Sequence, residues 1–275
     1  MSSAQITMPI EALRQSVHLT DTHTVRALQH SDHVLLGLAD GDEPVRLPNE
    51  PGNVLVATGG GGGTTTVLRA IAAQALHHGA RVDILDIDTR RPSHSWATSL
   101  PGAATHSRIG DVHAFLVDMS HRLRQADTGP GDGWSSRRFI VIEHAERLLY
   151  GLRQHWALTQ PDSQLEDAPG VEALGALLAA GHRIGIQLAV GSTRGIPPYL
   201  GTTVGDAFPT RVLAYAGQTL WTRIAPEVWP VPPYSVIPGR MHAVQHGRAT
   251  RFQALYLSES QARSWARGTV PKEYR

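Results

Sequence analysis

Apolar and polar positions alternate in two rhythms along this chain. Short apolar runs at His33 to Leu38, Val54 to Ala57, Val82 to Ile87, Phe139 to Ile142, Ile186 to Val190 and Val212 to Tyr215 predict strands. Between them, apolar residues spaced three and four apart predict helices near Thr65 to His78, Asp111 to Gln125 and Val171 to Ala180. Strands alternating with helices imply a mainly parallel central sheet flanked by helices, an α/β class. Ahead of this core, Ile10, Leu13 and Val17 have helical spacing over Pro9 to Val17, and Val25 with Leu28 predicts a second short helix ending near Ser31. Residues 1–32 are thus expected to be a short helical N-terminal appendage.

Two segments interrupt the pattern, Ala126 to Ser136 and Ala157 to Gly170, both rich in Gly, Pro, Asp and Ser and expected to be exposed loops. The proline-rich stretch Ala225 to Gly239 must be irregular. Met241 to Gln245 and Arg251 to Leu257, on either side of His246-Gly247, predict a closing β-hairpin. Ser258 with Gln261 is a capping box for a last helix reaching about Arg267, which leaves 269–275 as a tail.

The most informative stretch is Val54 to Arg69, V-L-V-A-T-G-G-G-G-G-T-T-T-V-L-R. A phosphate loop G-x-x-x-x-G-K-[ST] works because glycine backbone lets N–H groups converge on phosphate oxygens, while the lysine reaches the β and γ phosphates and the hydroxyl meets magnesium. With Gly63 as the last glycine, Thr64 fills the lysine slot, Thr65 the metal-ligand slot and Thr58 the place of the first glycine. The nucleotide-binding candidates are therefore Thr58, Gly59, Gly60, Gly61, Gly62, Gly63, Thr64, Thr65 and Thr66. Threonine has no charge to offer, so the loop keeps only its N–H cradle and the positive end of the following helix. The chain has a single lysine, Lys272, among 25 basic side chains. A lysine-poor composition alone would predict arginine at position 64.

Composition narrows the reading further. At 275 residues the chain is long enough for one large domain with a full core. It has no cysteine, which excludes disulfides and thiolate metal sites and is compatible with a cytoplasmic setting. No basic leader with an apolar core opens the sequence, and no run approaches the ~18–20 apolar residues of a membrane helix, so no membrane insertion is expected. With 25 basic and 24 acidic side chains, net charge gives no global argument for nucleic acid. Local sets, Arg90, Arg91 and His94 on one hand and Arg122, Arg124, Arg137 and Arg138 on the other, are candidate phosphate-backbone contacts. The histidines lack H-E-x-x-H spacing, and neither zinc, haem nor flavin is indicated. Trp96, Trp156, Trp221, Trp229 and Trp265 are expected to pack.

Taken in order, the segments 53–71, 83–96, 139–149, 173–195, 208–212 and 238–244 resemble the FtsK/SpoIIIE family of DNA-translocating ATPases, in particular the actinobacterial plasmid-transfer branch. The resemblance covers roughly residues 33–268 and implies a RecA-like P-loop NTPase fold over that range, with the hairpin at its C-terminal end. It also implies a pattern of loss. The family's strand-terminal acidic pair becomes Glu143 and His144, where Glu143 retains the reach to hold magnesium with Thr65, and His144 is no like-for-like base. The family's G-R-A-A-G-I becomes G-H-R-I-G-I, with His182 at the arginine position and Arg183 beside it. Its A-T-Q-R-P becomes G-S-T-R-G, with Thr193 at the sensing glutamine and Arg194 kept. Its D-P-K becomes Asp86-Ile87-Asp88.

Phosphoryl transfer is mostly charge neutralisation and positioning, and losing one transition-state contact commonly costs ~3 kcal/mol, about two orders of magnitude in rate. The resemblance therefore implies an ATPase fold with lapsed or strongly impaired hydrolysis and weak or lost ATP and magnesium binding. Such a protein would act as a binding or regulatory component of a DNA translocation or transfer assembly, with double-stranded DNA, an FtsK-like homologue or its own copies in a ring as partners. The alternatives are an active ATP-dependent double-stranded DNA translocase using a variant loop, and a pseudo-ATPase module of a type VII-like secretion system.

Overall fold

The computed structural model describes residues 13–29, 33–48, 52–126, 137–165, 167–192, 203–233 and 235–268. Chain order is β1 (Val17–His18), α1 (Thr22–Gln29), β2 (Leu35–Ala39), β3 (Pro44–Arg46), β4 (Val54–Thr58), α2 (Thr64–His77), β5 (Arg81–Leu85) and β6 (Ala103–His106). There follow α3 (Ile109–Ala126), β7 (Arg138–Ile142), α4 (Ala145–Thr159), α5 (Pro169–Ala180), β8 (Ile186–Ser192), α6 (Val204–Ala207) and β9 (Thr210–Ala214). The last elements are α7 (Gln218–Ile224), β10 (Arg240–Gln245), β11 (Arg248–Tyr256) and α8 (Glu259–Ala266).

Every residue of β4, V-L-V-A-T, is buried, as a strand must be when both its edges and both its faces are covered. It pairs in parallel with β8 on one side and β9 on the other. The parallel block runs β9-β4-β8-β7-β5-β6. Because successive side chains of a strand point to opposite faces, Val54 and Val56 enter the core with α2 and α8, whereas Leu55 and Ala57 enter the core with α3, α4, α5 and α7. The expected α/β class, a mainly parallel sheet between helical layers with a C-terminal hairpin, is present.

Two buried amides hold this arrangement. Asn53, just before β4, donates to the carbonyls of Leu178 (2.8 Å) and Ala207 (2.9 Å) and accepts from the Leu188 amide, tying β4 to β8 and the neighbouring helices. Gln74 of α2 accepts from Leu35 N and donates to Leu35 O at 2.8 and 2.9 Å, fastening β2 to the helix. Each satisfies backbone groups that would otherwise be buried without partners.

Three expectations are corrected. The run His33 to Leu38 is a strand, β2, but lies outside the parallel block, pairing antiparallel with β3 and β11. Apolar alternation marks a strand without fixing its direction, and β3 follows β2 too closely for a crossover. Val17, expected in a helix, lies in β1, which pairs in parallel with the end of β11; residues 9–12 fall outside the described residues. Of the loop expected over 157–170, residues 157–159 belong to α4 and 169–170 to the start of α5. The elements β1, β3, β6, α4, α6 and α7 add to the expected set. The hairpin β10–β11 pairs Gln245 with Arg248 across the turn, and the capping box at Ser258 and Gln261 is formed at the start of α8.

Candidate functional site

The loop from Thr58 to Gly63 leaves the C-terminal end of β4 and enters α2, which begins at Thr64. Gly61 and Gly63 have φ of 75° and 95°, the left-handed region that a β-carbon penalises, so glycine lets the chain reverse into the helix there without that strain. The Gly59 amide donates to Ala214 O (3.1 Å) and the Gly62 amide to Gly59 O (2.8 Å), which pins the loop's base to β9 and closes a turn. A β-carbon on Gly60 or Gly61 would meet nothing within 4 Å, so that side of the loop is open.

Thr64, in the lysine slot, does not face outward into that opening. Its hydroxyl lies 2.6 Å from the hydroxyl of Thr58, the residue in the place of the first glycine. The pair spans the loop and ties its first residue to the first residue of the helix. The loop's attraction for an anion therefore comes from backbone N–H groups and the helix dipole, equivalent to about half a positive charge.

The second feature is a hydrogen-bonded chain ending on Glu143, one residue past β7. Thr65 donates its hydroxyl to Glu143 Oε1. His94 Nε2 stands 2.6 Å from Glu143 Oε2, and Trp96 Nε1–H donates to His94 Nδ1 at 3.2 Å. An indole nitrogen only donates, so Nδ1 must accept and Nε2 must carry the hydrogen aimed at the carboxylate. The His94 and Glu143 side chains are 0% and 1% exposed. Burial pushes the Glu143 carboxyl up, but the hydrogen bonds from His94 and the Thr65 hydroxyl outweigh it and hold the group below the usual glutamate range. Glu143 is thus an anion at neutral pH with a partner on each oxygen. Breaking one such charged hydrogen bond costs about 1.5–3 kcal/mol.

The segment after β5 delivers His94 to this position. Asp86, buried, accepts from Ser93 N at 2.7 Å and from Asp88 N at 3.2 Å, so the chain doubles back over the end of β7. The sequence had marked His94 as a phosphate contact beside Arg90 and Arg91; it is instead buried, while the two arginines are exposed. The only local signal was Trp96 two residues on.

A second carboxylate stands at the strand tips. Glu146, in the first turn of α4, accepts from Ser192 Oγ at 2.6 Å at the end of β8. His144 precedes α4 without capping it through its side chain. His182 and Arg183 are exposed in the turn before β8, at the opposite end of that strand from the loop, roughly 20 Å away for a seven-residue strand. Thr193 and Arg194 lie outside the described residues. Of the second arginine set, Arg138 is buried against Asp83 (2.7 Å), Arg137 donates to Gln187 (2.6 Å) and Arg122 pairs with Asp118 (2.9 Å), so the four do not form one phosphate-binding face. Trp96 and Trp221 pack in the core, but Trp229 is 77% exposed.

Beside the glycine loop lies a cleft of about 390 Å³. Gly61, Gly62, Gly63 and Thr66 form one wall, and β1, β10 and β11 with the residues just before β1 and β10, including His18 and Tyr256, form the rest. A nucleotide whose phosphates lie on the loop has room here for its sugar and base, so the residues present fit a nucleotide. They do not fit a magnesium ion as they stand. Thr65 and Glu143 do come together, but the Thr65 hydroxyl holds one carboxylate oxygen and His94 the other, so neither is left free for an ion.

No protein-family model and no curated protein sequence matches the chain. Solved structures do. The pCW3 conjugation coupling protein TcpA, in its monomer form with ATPγS, superposes with a TM-score of 0.65 at 15% identity over 91% of this chain and 72% of its own. ATPases 2 and 3 of EccC from Thermomonospora curvata, in complex with a signal sequence peptide, give 0.67 at 17% identity over 91% of this chain and 45% of theirs. ATPases 2 and 3 of EssC from Geobacillus thermodenitrificans give 0.69 at 14% over 90% and 46%. The chain thus spans less than half of each of the latter two solved chains. Among the described residues no helix is long and apolar enough to cross a membrane. The chain has the fold of the FtsK/SpoIIIE-type P-loop ATPase domains.

Proposed function

We propose that this chain is a cytoplasmic, nucleotide-binding component of a translocation assembly in which ATP hydrolysis has lapsed, serving a binding or regulatory role in DNA transfer. The observation that carries the reading is Thr64. The slot that supplies a cation to the transferred phosphoryl group holds a hydroxyl turned onto Thr58, while the loop, its helix and the cleft beside them are kept. Glu143 is engaged on both oxygens and His144 replaces the water-activating carboxylate that the family resemblance implies. Two missing transition-state contacts of ~3 kcal/mol each bring turnover close to background. The partners that suit this reading are double-stranded DNA and a ring-forming surface on an FtsK-like homologue or on further copies of the chain.

The test is phosphate release from ATP by the purified chain, with and without double-stranded DNA. The expected result is no excess over a mock preparation. Turnover above about one per minute, still far below the usual enzyme range of 1–10³ s⁻¹, that is stimulated by DNA and lost on Thr65→Ala, would establish the active translocase instead. The similarity to EccC and EssC supports a second reading, a pseudo-ATPase module that binds a protein segment of a type VII-like system. DNA affinity that falls steeply with salt favours the first reading, and salt-insensitive peptide binding the second.

A further inference from the structure

We propose that this site takes its nucleotide without a divalent cation, because His94 has closed the place where the cation would act. The inference rests on the nucleotide-binding reading above. A metal-assisted loop needs a hydroxyl after the lysine slot and a carboxylate at the tip of the next-but-one strand, with that carboxylate free to face the ion or its water shell. Here the hydroxyl of Thr65 and the carboxylate of Glu143 are in place, but the second carboxylate oxygen faces an N–H. Trp96 occupies Nδ1 of His94, so the ring has a fixed tautomer with the positive end of its Nε2–H aimed at Glu143, where a cation would be repelled. The ring is fully buried and has no solvent to turn into. The other carboxylates at these strand ends are committed as well. Asp86 accepts from the amides of Ser93 and Asp88, and Glu146 accepts from Ser192. Magnesium at such a site is held by one or two carboxylates together with the substrate's phosphates, and here the carboxylate beside the Thr65 hydroxyl has both oxygens engaged.

The cradle itself does not depend on the ion. Backbone N–H groups of the loop and the start of α2 attract phosphate whatever its counter-ion. The expected ligand is therefore a nucleoside phosphate anion bound about equally well with and without magnesium.

Calorimetric titration of the full chain with ATP in EDTA and in excess MgCl₂ tests this. The predicted dissociation constants agree within about threefold, and Mn²⁺ in an electron-spin-resonance titration shows no protein-bound fraction beyond that of MnATP alone. His94→Gln, which keeps an N–H donor toward Glu143, should behave as the parent. His94→Ala should shift the ratio toward the magnesium form by about tenfold or more. Magnesium tightening ATP binding tenfold in the parent chain overturns the proposal, as does a folded His94→Ala variant whose ratio stays at the parent value. If His94→Ala fails to fold, the parent's ratio alone decides. Absence of ATP binding in both buffers sinks the nucleotide reading itself, which separates the two failures.

Discussion

Asp83→Ala is expected to destabilise the fold by about 3–5 kcal/mol, the cost of removing one partner of a buried ion pair. Asp83 of β5 is 5% exposed and accepts from Arg138 of β7 at 2.7 Å and from His106 of β6 at 3.1 Å. It thus bridges three adjacent parallel strands, and the His106 ring is further fixed by stacking on Phe115 at 4.4 Å. Burial pushes the Arg138 guanidinium down from its ordinary value, and Asp83 opposes that shift, so removing the carboxylate leaves the cation with burial and with its like-charged neighbours Arg81 and Arg122. At roughly 2–4 °C per kcal/mol for a chain of this size, the melting temperature should fall by about 10 °C. Replacing both partners by apolar residues, Asp83→Leu with Arg138→Met, should cost less than the single change. A melting point within about 2 °C of the parent for Asp83→Ala would contradict this reading of β5–β7.

Gly191→Ala should cost about 3 kcal/mol or more and should weaken nucleotide binding as well, since overpacking that cannot relax exceeds the usual 1–3 kcal/mol. Gly191 lies in β8 beside β4, and an added methyl would strike the Glu143 carbonyl oxygen while standing 2.7 Å from Thr64 Cγ2 and 3.0 Å from Leu68 Cδ1. Backbone cannot yield there without moving the start of α2, so the loop would move with it. Thermal melting and an ATP thermal-shift series read the two effects separately. A methyl accommodated without loss of either would show that the junction between β7, β8 and the loop is looser than its geometry implies.

What the sequence made legible was local. The glycine loop could be placed because an apolar run precedes it and a helix pattern follows it, and the structure puts Gly59 to Gly63 between β4 and α2. Glu143 was legible as the residue ending F-I-V-I, and it does sit beside Thr65. The partner that defines the state of Glu143 was not. His94 is 49 positions away, and only the doubling-back around Asp86 brings it there. The place of β2 in the sheet was hidden for the same reason, because it depends on β11 more than 200 residues later. The helix α4 is not legible in the sequence because exposed Tyr150 and Leu158 blur its apolar stripe, although Leu148, Leu149 and Leu152 are buried. Contacts made at long sequence separation leave no periodicity behind.

The central claim is that the loop still works as an anion cradle after losing its cationic side chain. A thermal-shift titration with ATP, parent beside Thr64→Lys, tests it most directly. The account predicts a saturable but weak upward shift for the parent and at least about tenfold tighter binding for Thr64→Lys, equivalent to ~1.4 kcal/mol, because a lysine there would reach phosphates that Thr64 does not. No shift with ATP in either protein would contradict it.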